Sequence, residues 1–327
     1  MPSNQPFYNL RPNKAIDRSL FIQTLIGLNN VLPISEYSYT GFGSYLFDDF
    51  KLVHDTLGIS KMVSLEREKE DYDRAIYNKP YNCIEIINTT SSDYLSNLAI
   101  GDESHGIYWL DYTAPSELGT QLADYATILN ISNANDIIKI TLNANPDALG
   151  KCQDPDLIQT FRLNTLKERV PDKYLFPGIS TDDVTRKNYP VTLLRILKAI
   201  AMESLIDSPP YSPYFFMPLF SCVYADGQQM LTFTGIVLDS HEKEQQIKTS
   251  LSQFPHNNFK WDKPCLIEIP HLTIREITEI NKYLPNNEIR QILIEKFPFI
   301  FSEKEKEIVE SYISYYKYYP SYQRISF

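Results

Sequence analysis

With 327 residues, 43% of them hydrophobic and 22% charged, the chain has the composition of a folded globular protein and the length for two domains or one domain with a large extension. A net charge of −10 offers no general attraction to phosphate, which argues against a non-specific nucleic-acid or anionic-membrane binder and favours a small molecule or a protein as partner. Four scattered cysteines (Cys83, Cys152, Cys222 and Cys265) form no C-x-x-C pair, so they indicate neither a zinc site nor a disulfide framework and fit reduced thiols in a cytoplasm.

The amino-terminal apolar run is interrupted by Asp17, Arg18 and Gln23, and it reads as neither a targeting signal nor a membrane span. Leu20, Phe21, Leu25, Ile26 and Leu28 instead predict an amphipathic helix over 15–30, ended by Pro33. A short strand in "SEYSY" leads into the glycine loop "TGFGS", and Leu46, Phe50, Val53 and Leu57 predict a helix after it, closed by Gly58. "KMVSLE", "YNCIEII", "GIYWLDY" and "DIIKITLN" then read as strands, with helical segments at 67–78 and 116–130 between them. This alternation predicts an α/β, Rossmann-like, mostly parallel sheet with helices on both faces, occupying residues 1–150.

Beyond residue 150 the rhythm loosens, and residues 151–327 read as an α+β region that would shape a substrate or partner site. It holds a strong helix in "VTLLRILKAIAMESLI", a hairpin around Asp226 and Gly227, and helices near 273–283, 286–296 and 302–317. "SPPY" at 208–211 matches a tetrapeptide of nucleic-acid amino methyltransferases, but it follows a helix and reads as a helix stop. The tyrosines of "SYISYYKYYPSYQRISF" at the end read better as packing than as a stacking platform for single strands.

Ligands of open parallel sheets sit outside the carboxyl ends of the strands, where strand order reverses. Gly41 and Gly43 would let the backbone approach a ligand, a helix beginning near Ser44 would present free N–H groups, and Glu66 lies where an acid accepts hydrogen bonds from a ribose. The loop lacks the third glycine that a dinucleotide pyrophosphate requires; S-adenosylmethionine, which has no phosphate, tolerates that. Ser92 and Asp93 after the third strand suit an adenine edge, and Asp111 and Tyr112 after the fourth lie where a transferable methyl would be presented. Asp111 is the candidate base or acceptor-orienting group, with Tyr112 packing beside it. His54 reads as a structural histidine, and Asp48 and Asp49 as first-turn residues favoured by the helix dipole.

The stretches "LRPNKAIDR", "YTGFGSYLFDDFKLVHDTLGI", "MVSLE", "RAIYNKPYNCIEI" and "YWLDY" together resemble the class I S-adenosylmethionine-dependent methyltransferase fold, most closely a bacterial group classed as O-methyltransferases. Many members carry an acid before the first glycine, where this chain has Tyr39 and Thr40. The resemblance implies S-adenosylmethionine as cofactor, contacts at Gly41, Gly43 and Glu66, and a reacting centre near Asp111 and Tyr112; Tyr39 and Ser44 of the same loop are further candidate cofactor contacts. The acidic composition favours a small-molecule acceptor ahead of nucleic acid. The alternative is a non-catalytic, methyltransferase-like module that holds the cofactor or a nucleotide within a larger complex.

Overall fold

The computed structural model describes residues 11–98, 105–206 and 214–320, so the "SPPY" segment lies outside the described residues. In chain order the elements are α1 (Pro12–Leu28), β1 (Ser38–Gly41), α2 (Asp48–Leu57), β2 (Lys61–Leu65), α3 (Lys69–Asn78), β3 (Ile84–Ile87), α4 (Ser91–Asn97), β4 (Gly106–Asp111), α5 (Leu118–Ile131) and β5 (Ile137–Asn143). There follow α6 (Ile158–Arg169), α7 (Tyr189–Ile206), β6 (Phe215–Ala225), β7 (Gln229–Leu238), α8 (His241–Leu251), β8 (Cys265–Ile267), α9 (Ile274–Asn281), α10 (Ile289–Lys296) and α11 (Lys306–Tyr315).

All eight strands form one sheet in the order β3-β2-β1-β4-β5-β7-β6-β8. Neighbours are parallel except around β7, which runs antiparallel to both β5 and β6. Strand order reverses between β1 and β4, so the switch-point crevice lies above Gly41 and Asp111. The carboxyl ends of β1 to β6 and of β8 share one edge. Strands of the carboxy-terminal half extend the same sheet.

Both faces are covered, as the near-continuous apolar runs of the strands require. One face carries α1, α2, α3, α8 and the terminal helices, packed through Leu20, Phe21, Phe50, Ala75, Ile247 and Tyr312. The other carries α4 to α7, packed through Leu95, Leu122, Leu166 and Leu197. Alternation along β4 and β5 puts Trp109, Asp111, Lys139 and Thr141 on the α1 face, a polar set in the middle of a core. The β6–β7 turn uses Gly227 at φ 110°, a conformation that favours glycine.

Among the described residues, the tail tyrosines pack against the rest of the chain. Tyr312 and Tyr315 are buried, and the Tyr319 hydroxyl accepts from the Leu272 N–H at 2.8 Å and donates to the Pro270 carbonyl at 3.1 Å. His54 is structural, as expected: its Nδ1 meets the Ile59 carbonyl at 2.8 Å in the last turn of α2.

Candidate functional site at the switch point

The glycine loop departs from expectation in where its helix begins. Residues 44–47 form an extra turn with Ser44 at φ 53° and Phe47 at φ 52°, and α2 starts only at Asp48. The helix end therefore does not point its N–H groups into the crevice from Ser44. Instead the Gly43 N–H donates to Ser64 Oγ at 2.9 Å, and the Ser44 N–H donates to the Glu66 carboxylate. A side chain at Gly43 would collide with Ser64 Oγ at 2.6 Å and the Phe47 ring at 2.7 Å, so this glycine seats the loop on β2. Gly41 is also tight, with the Tyr39 hydroxyl and the Trp109 carbonyl 3.2 and 3.4 Å from a built Cβ. Tyr39 itself is buried, edge-on to Phe50 at 4.9 Å between ring centroids.

Glu66 is the chemically unusual residue. It follows β2 directly, is 8% exposed, and accepts from Ser64 Oγ at 3.3 Å in addition to Ser44. Its backbone is held from below by Asn88, whose amide donates to the Glu66 carbonyl at 2.8 Å. Burial pushes the carboxyl up to about 7; the hydrogen bonds from Ser44 and Ser64 oppose that rise and Asp71 adds to it. A carboxylate offers roughly four acceptor positions, and two are filled by the protein. The two left over suit the paired hydroxyls of a ribose, so this acceptor set fits a nucleoside.

After β3, the Thr90 side chain caps α4 by accepting from the Asp93 N–H at 3.1 Å, and its hydroxyl donates to Asp93 Oδ2 at 2.7 Å. Ser91 and Ser92 donate to Asp124 of α5 at 2.5 and 2.6 Å, and the Tyr112 hydroxyl joins them at 2.6 Å. Ser92, Asp93 and Tyr112 thus tie the ends of β3 and β4 to α4 and α5. The Tyr112 ring also meets Phe42 of the glycine loop at 5.5 Å between centroids, which bridges the two sides of the crevice.

Asp111 forms a buried ion pair with Lys14, whose Nζ lies 2.8 Å from Oδ2. Burial alone would raise this carboxyl, but Lys14, Arg18 and the Thr141 hydroxyl outweigh it and hold the group below the usual carboxylate range. Of the two roles expected for Asp111, base or acceptor-orienting group, the ion pair with Lys14 favours the second, because an acid held ionised by a neighbouring cation is a weak proton acceptor at neutral pH. Asp111 Oδ1 is buried with Thr141 nearby but without a well-formed hydrogen bond, an acceptor that a ligand hydroxyl would satisfy.

Lys14 belongs to a larger constellation that the sequence reading missed. Asn13, Lys14, Asp17 and Arg18 fall on one face of α1 and are all buried. Asp226 from the β6–β7 turn accepts from the Asn13 amide at 2.9 Å and the Lys14 backbone N–H at 2.8 Å, capping α1 from a distant segment. Asp17 meets Lys139 of β5 at 2.9 Å, both fully buried, with Thr232 of β7 completing the group. Arg18 grips Asp49 through two hydrogen bonds, one of them 3.1 Å, so Asp49 has a partner beyond the helix dipole. The signal was a lysine inside the apolar strand "DIIKITL" together with polar residues at helical spacing in "PNKAIDR".

Three strands away, an open cavity of about 890 Å³ lies at the carboxyl ends of β6 and β8, lined by Tyr224, Gln229, Cys265, Ser311 and Tyr315 among others. No residue of the glycine loop lines it, although the Tyr224 hydroxyl lies within the field of Asp111.

A sheet of this order with one reversed strand, a glycine loop after β1 and an acid after β2 defines the class I methyltransferase fold. The chain belongs to the family described as "Putative O-methyltransferase", which matches residues 6–327. No protein of curated function matches the sequence. Among solved structures, the O-methyltransferase TomG from Streptomyces achromogenes, in complex with SAM, is 11% identical over 72% of this chain and 91% of that one, with a TM-score of 0.37. An O-methyltransferase from Bacillus cereus in complex with SAH is 13% identical over 70% and 88%, TM-score 0.35. A transferase from Pyrococcus horikoshii is 14% identical over 63% of this chain, TM-score 0.34, and the chain spans 58% of its length. With TM-scores below 0.5, these likenesses bear on neither substrate nor site.

Proposed function

We propose that the protein is a cytoplasmic, bacterial-type S-adenosylmethionine-dependent methyltransferase, and that its acceptor is a small molecule carrying a hydroxyl group. The observation that carries this reading is Glu66, a desolvated carboxyl with unfilled acceptor capacity at the β2 end, braced against the glycine loop. Bound S-adenosylmethionine would supply an electrophilic methyl group on a sulfonium. Glu66 would hold the ribose hydroxyls, Gly41 and Ser44 would set the height of the loop, and Phe42 with Tyr112 would exclude water from the crevice. Asp111 would accept a hydrogen bond from the acceptor hydroxyl through Oδ1 and orient it, and the hydroxyl proton would pass to water as the O–methyl bond forms and the methyl–sulfur bond breaks, because Lys14 keeps the carboxylate ionised and weakly basic. Alignment of this kind supplies most of the rate gain in an in-line displacement.

The carboxy-terminal half contributes the cavity at β6 and β8, on the same edge of the sheet as the loop, and we assign the body of the acceptor to it. Net charge and the absence of a helix long and apolar enough to cross a membrane among the described residues support this partner class. Calorimetric titration with S-adenosylmethionine and S-adenosylhomocysteine, on wild type and Glu66→Ala, tests the assignment. Micromolar binding lost in the variant supports it, and equal binding by the variant overturns it. Binding without transfer to any hydroxyl, amine or thiol acceptor would select the non-catalytic module instead.

A further inference from the structure

We infer that Cys265 and Cys222 form a peroxide-responsive dithiol, with Cys265 as the thiol that is oxidised first and Cys222 as the thiol that resolves it into a disulfide. The inference does not depend on methyl transfer, since it rests on the placement of two thiols on β6 and β8.

Cys222 of β6 and Cys265 of β8 are direct register partners on adjacent parallel strands. Neighbouring strands stand about 4.8 Å apart, inside the range of Cα separations that a disulfide spans without backbone movement. The two thiols are close enough that each shifts the other's ionisation. Their exposure differs as the two roles require. Cys222 is fully buried beneath α1, whereas Cys265 is partly exposed and lines the open cavity at the carboxyl ends of β6 and β8.

The Tyr315 hydroxyl of α11 also faces the Cys265 sulfur. Two donor groups beside one sulfur stabilise its thiolate, the nucleophilic form. These neighbours, Cys222 foremost, bring Cys265 down to about 7 against the opposing effects of burial and Asp262, while Cys222 is pushed well above the ordinary thiol range by its neighbour Cys265 and by burial. The other charges on the pair are Asp17 and Lys139, which face Cys222 from α1 and β5. Lys263, Glu268, Lys306 and Glu310 stand around the cavity.

The chemistry balances with a hydroperoxide as oxidant. The Cys265 thiolate attacks the peroxide, an S–O bond forms, the O–O bond breaks, and the leaving oxygen takes a proton to become water or an alcohol. Cys265 is oxidised to the sulfenic acid as the peroxide is reduced. Cys222, losing its proton, then attacks the Cys265 sulfur; the S–S bond forms, the S–O bond breaks, and water leaves.

The test is peptide mapping of the full chain after brief exposure to hydrogen peroxide, without reductant. The expected product is a Cys222–Cys265 cross-linked peptide, lighter by two hydrogens and restored by dithiothreitol. In Cys222→Ser the reaction should stop at a Cys265 sulfenic acid that dimedone traps, and in Cys265→Ser the thiol of Cys222 should survive. Should either variant fail to fold, wild-type alkylation kinetics decide: iodoacetamide should label Cys265 about tenfold faster than Cys83 and Cys152 near neutral pH, as a thiolate-rich cysteine does. Oxidation of Cys83 or Cys152 ahead of Cys265, or oxidation of Cys265 without the cross-link in wild type, would overturn the inference.

Discussion

Replacing Glu66 with glutamine separates what this residue does for folding from what it does for the cofactor. The carboxyl rises from 4.5 to about 7 in the folded chain because it is buried. Between those values the folded chain keeps a proton that the unfolded chain has released, so raising the pH through this window weakens folding. Roughly 2.5 units correspond to about 3 kcal/mol, fully felt above pH 7 and absent below pH 4.5. Glutamine cannot ionise, yet it can still accept from the Ser44 N–H and donate to Ser64 Oγ. In urea unfolding followed by tryptophan fluorescence, Glu66→Gln should therefore exceed wild type by about 2 to 3 kcal/mol at pH 8 and converge with it near pH 5. Cofactor affinity should move the other way: wild type should lose about tenfold per unit below pH 7 as the carboxylate is protonated, while the variant should bind weakly at every pH. A stability difference that does not change with pH, or a variant less stable than wild type at pH 8, would refute the reasoning.

Three further expectations concern the buried charges. Lys139→Met leaves Asp17 unpaired at 0% side-chain exposure and should cost about 3 to 5 kcal/mol in denaturant unfolding, with much of the loss recovered in Lys139→Met/Asp17→Leu. Lys14→Met should return Asp111 toward a higher pKa, displacing the pH profile of methyl transfer on its acid side while leaving cofactor affinity nearly intact. His256, pushed down to about 4 by burial and hydrogen-bonded to Thr24 at 2.9 Å, should make the protein acid-sensitive. Between pH 6.5 and 4 the unfolded chain gains a proton that the folded chain refuses, so stability should fall by up to about 3 kcal/mol, and His256→Gln should flatten that slope in the same assay.

Most of the sheet was legible because its strands are short, apolar and separated by helical periods; the strands expected at 61–66, 81–87, 106–112 and 136–143 lie within a few residues of β2 to β5. The helices that escaped notice have weak apolar stripes. In α6 only Leu163 and Leu166 are buried, and in α8 only Ile247 and Leu251, so periodicity had little to report. The late start of α2 was hidden for another reason: Phe47 adopts a left-handed conformation that phenylalanine rarely takes, held by its backbone hydrogen bond to Gly43 and by the packing of its buried ring against Phe50 and Gly43. Glu66 and Asp111 could be placed at strand ends from sequence. The partner that sets the charge state of Asp111 could not, because Lys14 lies 97 residues away along the chain.

The polar face of α1 explains why this site is built on so much buried charge. An ion pair in a core gains little over apolar residues of similar volume, so four polar anchors along one helix face are a poor way to add stability. They are an effective way to fix position. Asp226 seats the start of α1, Lys14 meets the end of β4, Asp17 meets the middle of β5 and β7, and Arg18 meets the first turn of α2. Sliding α1 by one residue along its axis would leave several buried charges unpaired at once, at several kcal/mol each, whereas an apolar face would tolerate the shift. The register of α1 is thereby locked to the strand end that carries Asp111 and to the helix that follows the glycine loop. Both walls of the crevice are referenced to one rigid element, which is the preorganisation that an alignment-driven methyl transfer requires.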